Sequence, residues 1–132
     1  MTDPIADFLT RVRNAIHAAH ETVDIPASTL KSELARILVE QGYIESWSVV
    51  AAPDGPGQSI QITLKYTDDR RSAISGLRRV SRPGRRTYVD SKHIPKVLGG
   101  MGTSIVSTSR GVMTGHDARA AGVGGAVLAQ VW

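Results

Sequence analysis

The chain has no cysteine. Disulfides, cysteine-ligated metal sites and thiol nucleophiles are therefore outside its chemistry. Aromatic residues are scarce, with one Phe, two Trp and three Tyr, so its core must be mostly aliphatic. No apolar run approaches the roughly 20 residues that a membrane-spanning helix requires. The opening Met1-Thr-Asp-Pro is polar and acidic, unlike the basic and then apolar start of a secretory leader. These absences point to a cytosolic protein with no membrane partner. Two nucleotide-binding patterns, Gly-x-Gly-x-x-Gly and the P-loop, are also missing, as is the Gly-x-Ser-x-Gly nucleophile elbow.

What is present is a 132-residue chain, 41% hydrophobic, with a net charge of +4. That length and apolar content suit one compact protein or two small lobes, not a disordered one. The charge is unevenly placed. Residues 1–66 carry five Lys/Arg and eight Asp/Glu, giving −3, while residues 67–132 carry eleven and four, giving +7. Seven basic side chains and a single acid, Asp90, lie between Arg78 and Lys96. A cationic half of this kind either faces a polyanion or is a solvated surface.

Asp3-Pro4 reads as a helix start, an N-cap carboxylate followed by proline at the first helical position. Ile5, Phe8, Leu9, Val12 and Ile16 recur behind it as one apolar stripe. Thr22 to Ile25 reads as a short strand ended by Pro26. Ser28 or Thr29 caps a second helix, with Leu30, Leu34, Ile37 and Leu38 on its inner face and Gly42 as its stop. Tyr43 to Val50 reads as a strand with Tyr43, Trp47 and Val49 on one face. After the turn Pro53–Gly57, Ser59 to Tyr66 alternates, with Ile60, Ile62, Leu64 and Tyr66 pointing inward.

The polar break Asp68-Asp-Arg-Arg71 suggests two lobes, residues 1–68 and 69–132. In the second, strands are expected over Ile74 to Val80, Arg86 to Val89, Thr103 to Ser107 and Ala126 to Val131. A helical turn is expected over His93 to Leu98, and a flexible link at Gly99 to Gly102. Thr114 can cap a short helix that ends near Gly122. The fold class is α+β: a helix–strand–helix–strand–strand lobe followed by a strand-rich lobe with short helices.

Three consecutive hydroxyl residues, Ser107, Thr108 and Ser109, precede Arg110 at a strand end. Short hydroxyls on a rigid element can approach the shallow minor groove of RNA, which displays 2′-hydroxyls. Ordinary turn chemistry would use the same residues. A serine hydrolase would need an oriented histidine, and the nearest, His116, is not obviously aimed at them. His17 and His20 lie three apart at a helix end, where they complement the dipole; a zinc site would need two further ligands. Arg78, Arg79, Arg82, Arg85 and Arg86 are dense enough to suggest phosphate contacts, with Tyr88 among them as a stacking surface for an unstacked base. The glycine clusters 99–102 and 122–125 suit turns or close backbone packing. No cofactor is implied.

Taken in order, Asp3-Pro-Ile-Ala-Asp-Phe-Leu-Thr-Arg-Val-Arg-Asn14, Ile25-Pro-Ala-Ser28, Leu77-Arg-Arg-Val-Ser-Arg-Pro-Gly84, Ile94-Pro-Lys-Val-Leu98, Ser107-Thr-Ser-Arg-Gly111 and Val123-Gly-Gly125 resemble the bacterial small-subunit ribosomal protein eight family nearly end to end. The resemblance implies a non-enzymatic protein of the cytoplasmic ribosome that binds the central domain of small-subunit ribosomal RNA early in assembly. It implies RNA contacts by Ser107, Thr108, Ser109 and Arg110, by Arg86 and Tyr88, and by Gly124. On the first lobe it implies contacts by Thr2, Asp3, Pro4, Arg13, Asn14 and Lys31. Neighbouring ribosomal proteins, notably protein five, and the messenger of its own operon are the further partners implied. Ala126 stands where the family usually has a glutamate, Arg85-Arg-Thr87 is more basic than usual, and Gln130 replaces a commonly aromatic or cysteine position.

Overall fold

The computed structural model describes residues 3–82, 84 and 87–132. The chain forms two compact units, one of residues 7–74 and the other of the first residues up to Ala6 together with Ser75–Trp132.

Helix α1 spans Pro4–His17. Asp3 caps it, its carboxylate accepting the Ala6 N–H at 3.1 Å. Ile5, Phe8, Leu9, Val12 and Ala15 are buried along its inner face, while Ile16 is only half-buried. Burying Phe8 or Val12 fully contributes about 1.5–3 kcal/mol each. Helix α2, Thr29–Glu40, is capped by Ser28, whose hydroxyl accepts the Lys31 N–H at 3.2 Å. Beyond its end, Gly42 takes the left-handed conformation at φ 81°.

Behind these helices, β1 (Thr22–Pro26), β2 (Ile44–Ala51) and β3 (Gln58–Leu64) form an antiparallel sheet ordered β1-β3-β2. The expected hairpin thus gains β1 on its far side. Tyr43, expected in this strand, precedes it. A register shift between Ile44 and Ser46 reverses the alternation, so buried Ile44 opposes Leu64 while Trp47 opposes Ile62. Such a bulge moves every residue before it to the opposite face.

The second unit is built on β8 (Gly125–Val131). β6 (Thr103–Thr108) pairs along one edge of β8, and β7 (Gly111–Thr114) pairs with β6. The other edge of β8 is shared by β4 (Leu77–Arg79) and β5 (Tyr88–Val89). Both are shorter than the expected strands, and the expected strand residue Arg86 lies outside the described residues. Pairing continues past β4, because the Val80 and Ser81 N–H groups donate to the Leu128 and Val127 carbonyls. Of the segment expected to be helical from His93 to Leu98, only its ends are: His93 closes a 3-10 turn over Ser91–His93 and Leu98 opens another over Leu98–Gly100. Pro95 disfavours a helical conformation at Ile94, which is extended. Helix α3, Gly115–Ala121, is capped by Thr114 and stopped by Gly122 at φ 70°. Ile94, Val106 and Ala118 form a buried cluster, with Val89, Met113 and Val123 packed against it.

Candidate nucleic-acid interface

β6 and β7 meet at a tight turn in which Thr108 opposes Gly111, so Ser109 and Arg110 are the exposed tip. The Thr108 hydroxyl holds that tip. It donates to the Gly111 carbonyl at 2.8 Å and accepts the Arg110 N–H at 3.0 Å. Gly111 follows at φ 110°, a conformation open to glycine and strained for other residues. The three hydroxyls therefore divide in role. Thr108 staples the turn, whereas those of Ser107 and Ser109 make no hydrogen bond among the described residues. Ser107 is half-buried and Ser109 exposed.

β8 joins this hairpin to Tyr88. Ala126 opposes Ser107 on one side and Tyr88 on the other. Directly opposed residues share a face of the sheet, so Tyr88 and Ser107 stand on one face, two strand spacings or about 10 Å apart. Tyr88 is 68% exposed.

The glycine pair makes this closeness possible. A Cβ on Gly125 would lie 2.1 Å from the Ser107 carbonyl oxygen, and one on Gly124 would lie 2.3 Å from the Val89 carbonyl oxygen. Close backbone packing is therefore the local reason for both glycines. Behind them Asp90 accepts the Lys92 and His93 N–H groups and meets the His93 ring Nδ1 at 2.6 Å. The His93 bond holds the Asp90 carboxyl below its ordinary pKa. Buried Ser81 accepts the Thr87 N–H through its hydroxyl at 2.9 Å.

The arginines divide as well. Arg79 is turned inward, with its side chain 13% exposed. Its Nε donates to the Asp3 carboxylate at 3.2 Å and its Nη1 to the Leu128 carbonyl at 2.7 Å. A general phosphate-contacting role for Arg79 does not fit that position. Arg78 and Arg82 are exposed, and the Arg78 guanidinium donates to the buried Gln130 amide oxygen. Thr2, Arg85 and Arg86 lie outside the described residues.

Of the remaining expected contacts, Asp3 is capped into α1 and paired with Arg79, while Pro4 is exposed. Arg13, Asn14 and Lys31 belong to the 7–74 unit. Asn14 is exposed and Arg13 half-buried. Lys31 is 7% exposed, with its ammonium 3.6 Å from Asp7, which also pairs with Arg11 at 3.1 Å. Sequence reading missed Arg79 as a support because its partner lies 76 positions away. His116 is exposed on α3, and no hydrogen bond links it to Ser107 or Ser109 among the described residues.

The Asp3–Arg79 pair has a defined pH dependence. Burial alone would raise the Asp3 pKa, but the Ala6 N–H and the Arg79 guanidinium outweigh it and hold it below 3.8. A carboxyl depressed in the folded state stabilises fully above its unfolded pKa, and that contribution is lost as pH falls through the folded value. Asp3→Ala should lower stability by about 1–2 kcal/mol at neutral pH by removing cap and ion pair. In urea titrations the gap from the parent should shrink as pH drops below 3.8. Arg79→Ala should likewise reduce stability, because it removes the same ion pair and the bond to the Leu128 carbonyl.

Fold and surface define an α+β protein that presents hydroxyls on a rigid hairpin within its cationic half. The profile of the family described as ribosomal protein S8 matches residues 3–132. The chain is 55% identical to small ribosomal subunit protein uS8 of Acetivibrio thermocellus over 131 residues, covering 99% of this chain and 98% of the relative. It is 53% identical to the uS8 of Corynebacterium urealyticum over 133 residues (100% and 98% covered) and 55% identical to that of Rubrobacter xylanophilus over 132 (100% and 98%). The chain belongs to the ribosomal protein S8 family. Members are structural proteins of the small ribosomal subunit and not enzymes, and in bacteria that subunit is cytoplasmic.

Proposed function

We propose that the chain binds the central domain of small-subunit ribosomal RNA directly and helps to assemble that part of the subunit. The observation that carries this is the hydroxyl-tipped hairpin Ser107–Gly111 with exposed Arg110, on the same sheet as exposed Tyr88. Ser107 and Ser109 supply free hydroxyls for 2′-hydroxyls and base edges, Tyr88 supplies a ring face, and Arg110 supplies charge. Thr108, Gly124 and Gly125 hold these groups in place. Residues 69–132 form the RNA-binding half in this proposal, and Arg86 adds a phosphate contact. Thr2, Pro4, Arg13 and Asn14 approach a second RNA segment, with Asp3 and Lys31 supporting the local structure. Protein five is a neighbour in the assembled subunit, and the operon messenger is bound by the same surface wherever it folds alike.

Phosphate contacts make affinity fall with salt, with a log–log slope of about 0.7–0.9 per contact. Arg110→Ala should reduce that slope by one such step in filter binding to a central-domain fragment. A slope unchanged from the parent's would remove Arg110 from the interface. Co-sedimentation with the small subunit tests the assembly claim, since a protein acting only on its messenger would stay in the supernatant.

A further inference from the structure

The sheet of the 7–74 unit has two edges, and only one of them is blunted. Its order β1-β3-β2 leaves β1 and β2 each with a strand on one side alone among the described residues. Along an antiparallel strand, successive residues turn their backbone groups toward the partner and away from it. The Ala27 N–H donates to the Gln58 carbonyl at 3.0 Å and the Leu64 N–H to the Glu21 carbonyl at 2.9 Å. In that register Thr22, Asp24 and Pro26 are the residues of β1 that face outward. Proline has no N–H to offer and Asp24 is exposed and charged, so β1 resists further pairing.

β2 has no such device. The Ala52 N–H donates to the Gly57 carbonyl at 3.1 Å, and in the register of β2 with β3 this turns the N–H and C=O groups of Trp47, Val49 and Ala51 outward. None of the three is charged and none is proline. They line about 14 Å of edge, and the bulge between Ile44 and Ser46 lies before them, so the stretch itself is regular. Trp47 and Val49 oppose Ile62 and Ile60 and hence share a face; Trp47 is half-buried and Val49 is 47% exposed. Charge is distinctive as well. Residues 37–64 carry Glu40, Glu45 and Asp54 and no Lys, Arg or His, in a chain of net charge +4. Glu45 and Asp54 are exposed near the two ends of the open edge.

We propose that β2 takes up an extended segment of a neighbouring small-subunit protein as a fourth strand. An apolar residue of that segment packs between Trp47 and Val49, and Lys or Arg side chains toward its ends face Glu45 and Asp54. Backbone pairing supplies affinity, while the apolar and acidic side chains supply selection. The proposal rests on the chain's place in the small subunit and not on the RNA contacts argued above. RNA is the poorer occupant, because a hairpin without cations offers phosphates no counter-charge. A second copy is poorer too. Antiparallel pairing of two β2 strands would bring Glu45 of one copy toward Asp54 of the other, like charges with no cation from either hairpin between them.

Hydrogen exchange and crosslinking in purified small subunits test this. The Trp47, Val49 and Ala51 amides should exchange at least tenfold more slowly in the subunit than in the free protein. Equal exchange in the two would overturn the added strand. A photo-reactive phenylalanine analogue at Ala51 should crosslink to a ribosomal protein, through a peptide containing Lys or Arg. A crosslink to ribosomal RNA or to a second copy, or no intermolecular crosslink, would overturn it as well. Val49→Lys sets a cation in the seam. The variant should melt as the parent does, since Val49 is already half in solvent, yet lose at least fivefold of the Ala51 crosslink. An undiminished yield would contradict a basic segment between Glu45 and Asp54. Ser107→Ala should leave both readouts as they are, so a failure of the hydroxyl contacts is told apart from a failure of the strand.

Discussion

Gly125→Ala is expected to destabilise the protein by about 3 kcal/mol and to abolish RNA binding under conditions where the parent binds tightly. The added Cβ would fall 2.1 Å from the Ser107 carbonyl oxygen and 3.1 Å from the Thr108 Cα. Neither is the end of a flexible side chain that can turn aside. Both are backbone atoms of β6, so the clash is relieved only by parting β6 from the start of β8. That movement unseats the hairpin and separates Ser107 from Tyr88, which are aligned through Ala126. Urea denaturation gives the stability and filter binding the affinity. Gly55→Ala is the comparison, since nothing lies within 4 Å of its Cβ and its φ is not positive. It should fall within about 0.5 kcal/mol of the parent.

Ser107→Ala and Ser109→Ala should each weaken binding to the central-domain fragment by about 1–3 kcal/mol, or roughly five- to 150-fold. Each removes a hydroxyl that makes no hydrogen bond among the described residues, so neither disturbs the fold. Groups of the RNA desolvated against these positions would be left unpaired, and that penalty exceeds the net worth of a hydrogen bond. Thr108→Val should behave differently. It loses the two bonds that close the turn, so its stability falls by about 1 kcal/mol and its affinity falls as a consequence.

Local signals were legible in the sequence. Asp3-Pro4, Ser28, Gly42, Thr114 and Gly122 mark helix ends through their own geometry, and the structure finds each in that role. The alternation over Ile60, Ile62 and Leu64 gave the inner face of β3. Ser59, assigned outward by the same alternation, is nevertheless buried. Signals that depend on distant partners were not legible. The bulge in β2 is a matter of register against β3, and nothing in Tyr43–Ser46 announces it. β7 is only four residues long, too short for its alternation to stand out, although Gly111 marks its start. Most consequential for the site, an arginine in a basic cluster looks alike in sequence whether it faces solvent or Asp3. Burial separated Arg79 from its neighbours, as it did Lys31 from the other exposed cations.

The platform itself was half legible. Ser107-Thr-Ser-Arg110 was conspicuous as a hydroxyl run beside a cation, but composition could not show that the middle hydroxyl is committed to the turn. The same holds for Gly124 and Gly125, whose need for close packing appears only when Val89 and Ser107 are placed beside them.

The most direct measurement is the affinity of Ser107→Ala/Ser109→Ala for the central-domain RNA fragment, taken with its urea midpoint. Rigid presentation of free hydroxyls predicts an affinity loss of at least tenfold, a midpoint equal to the parent's and an unchanged salt slope. Parent-like affinity in a fully folded double variant would show that these hydroxyls do not read the RNA.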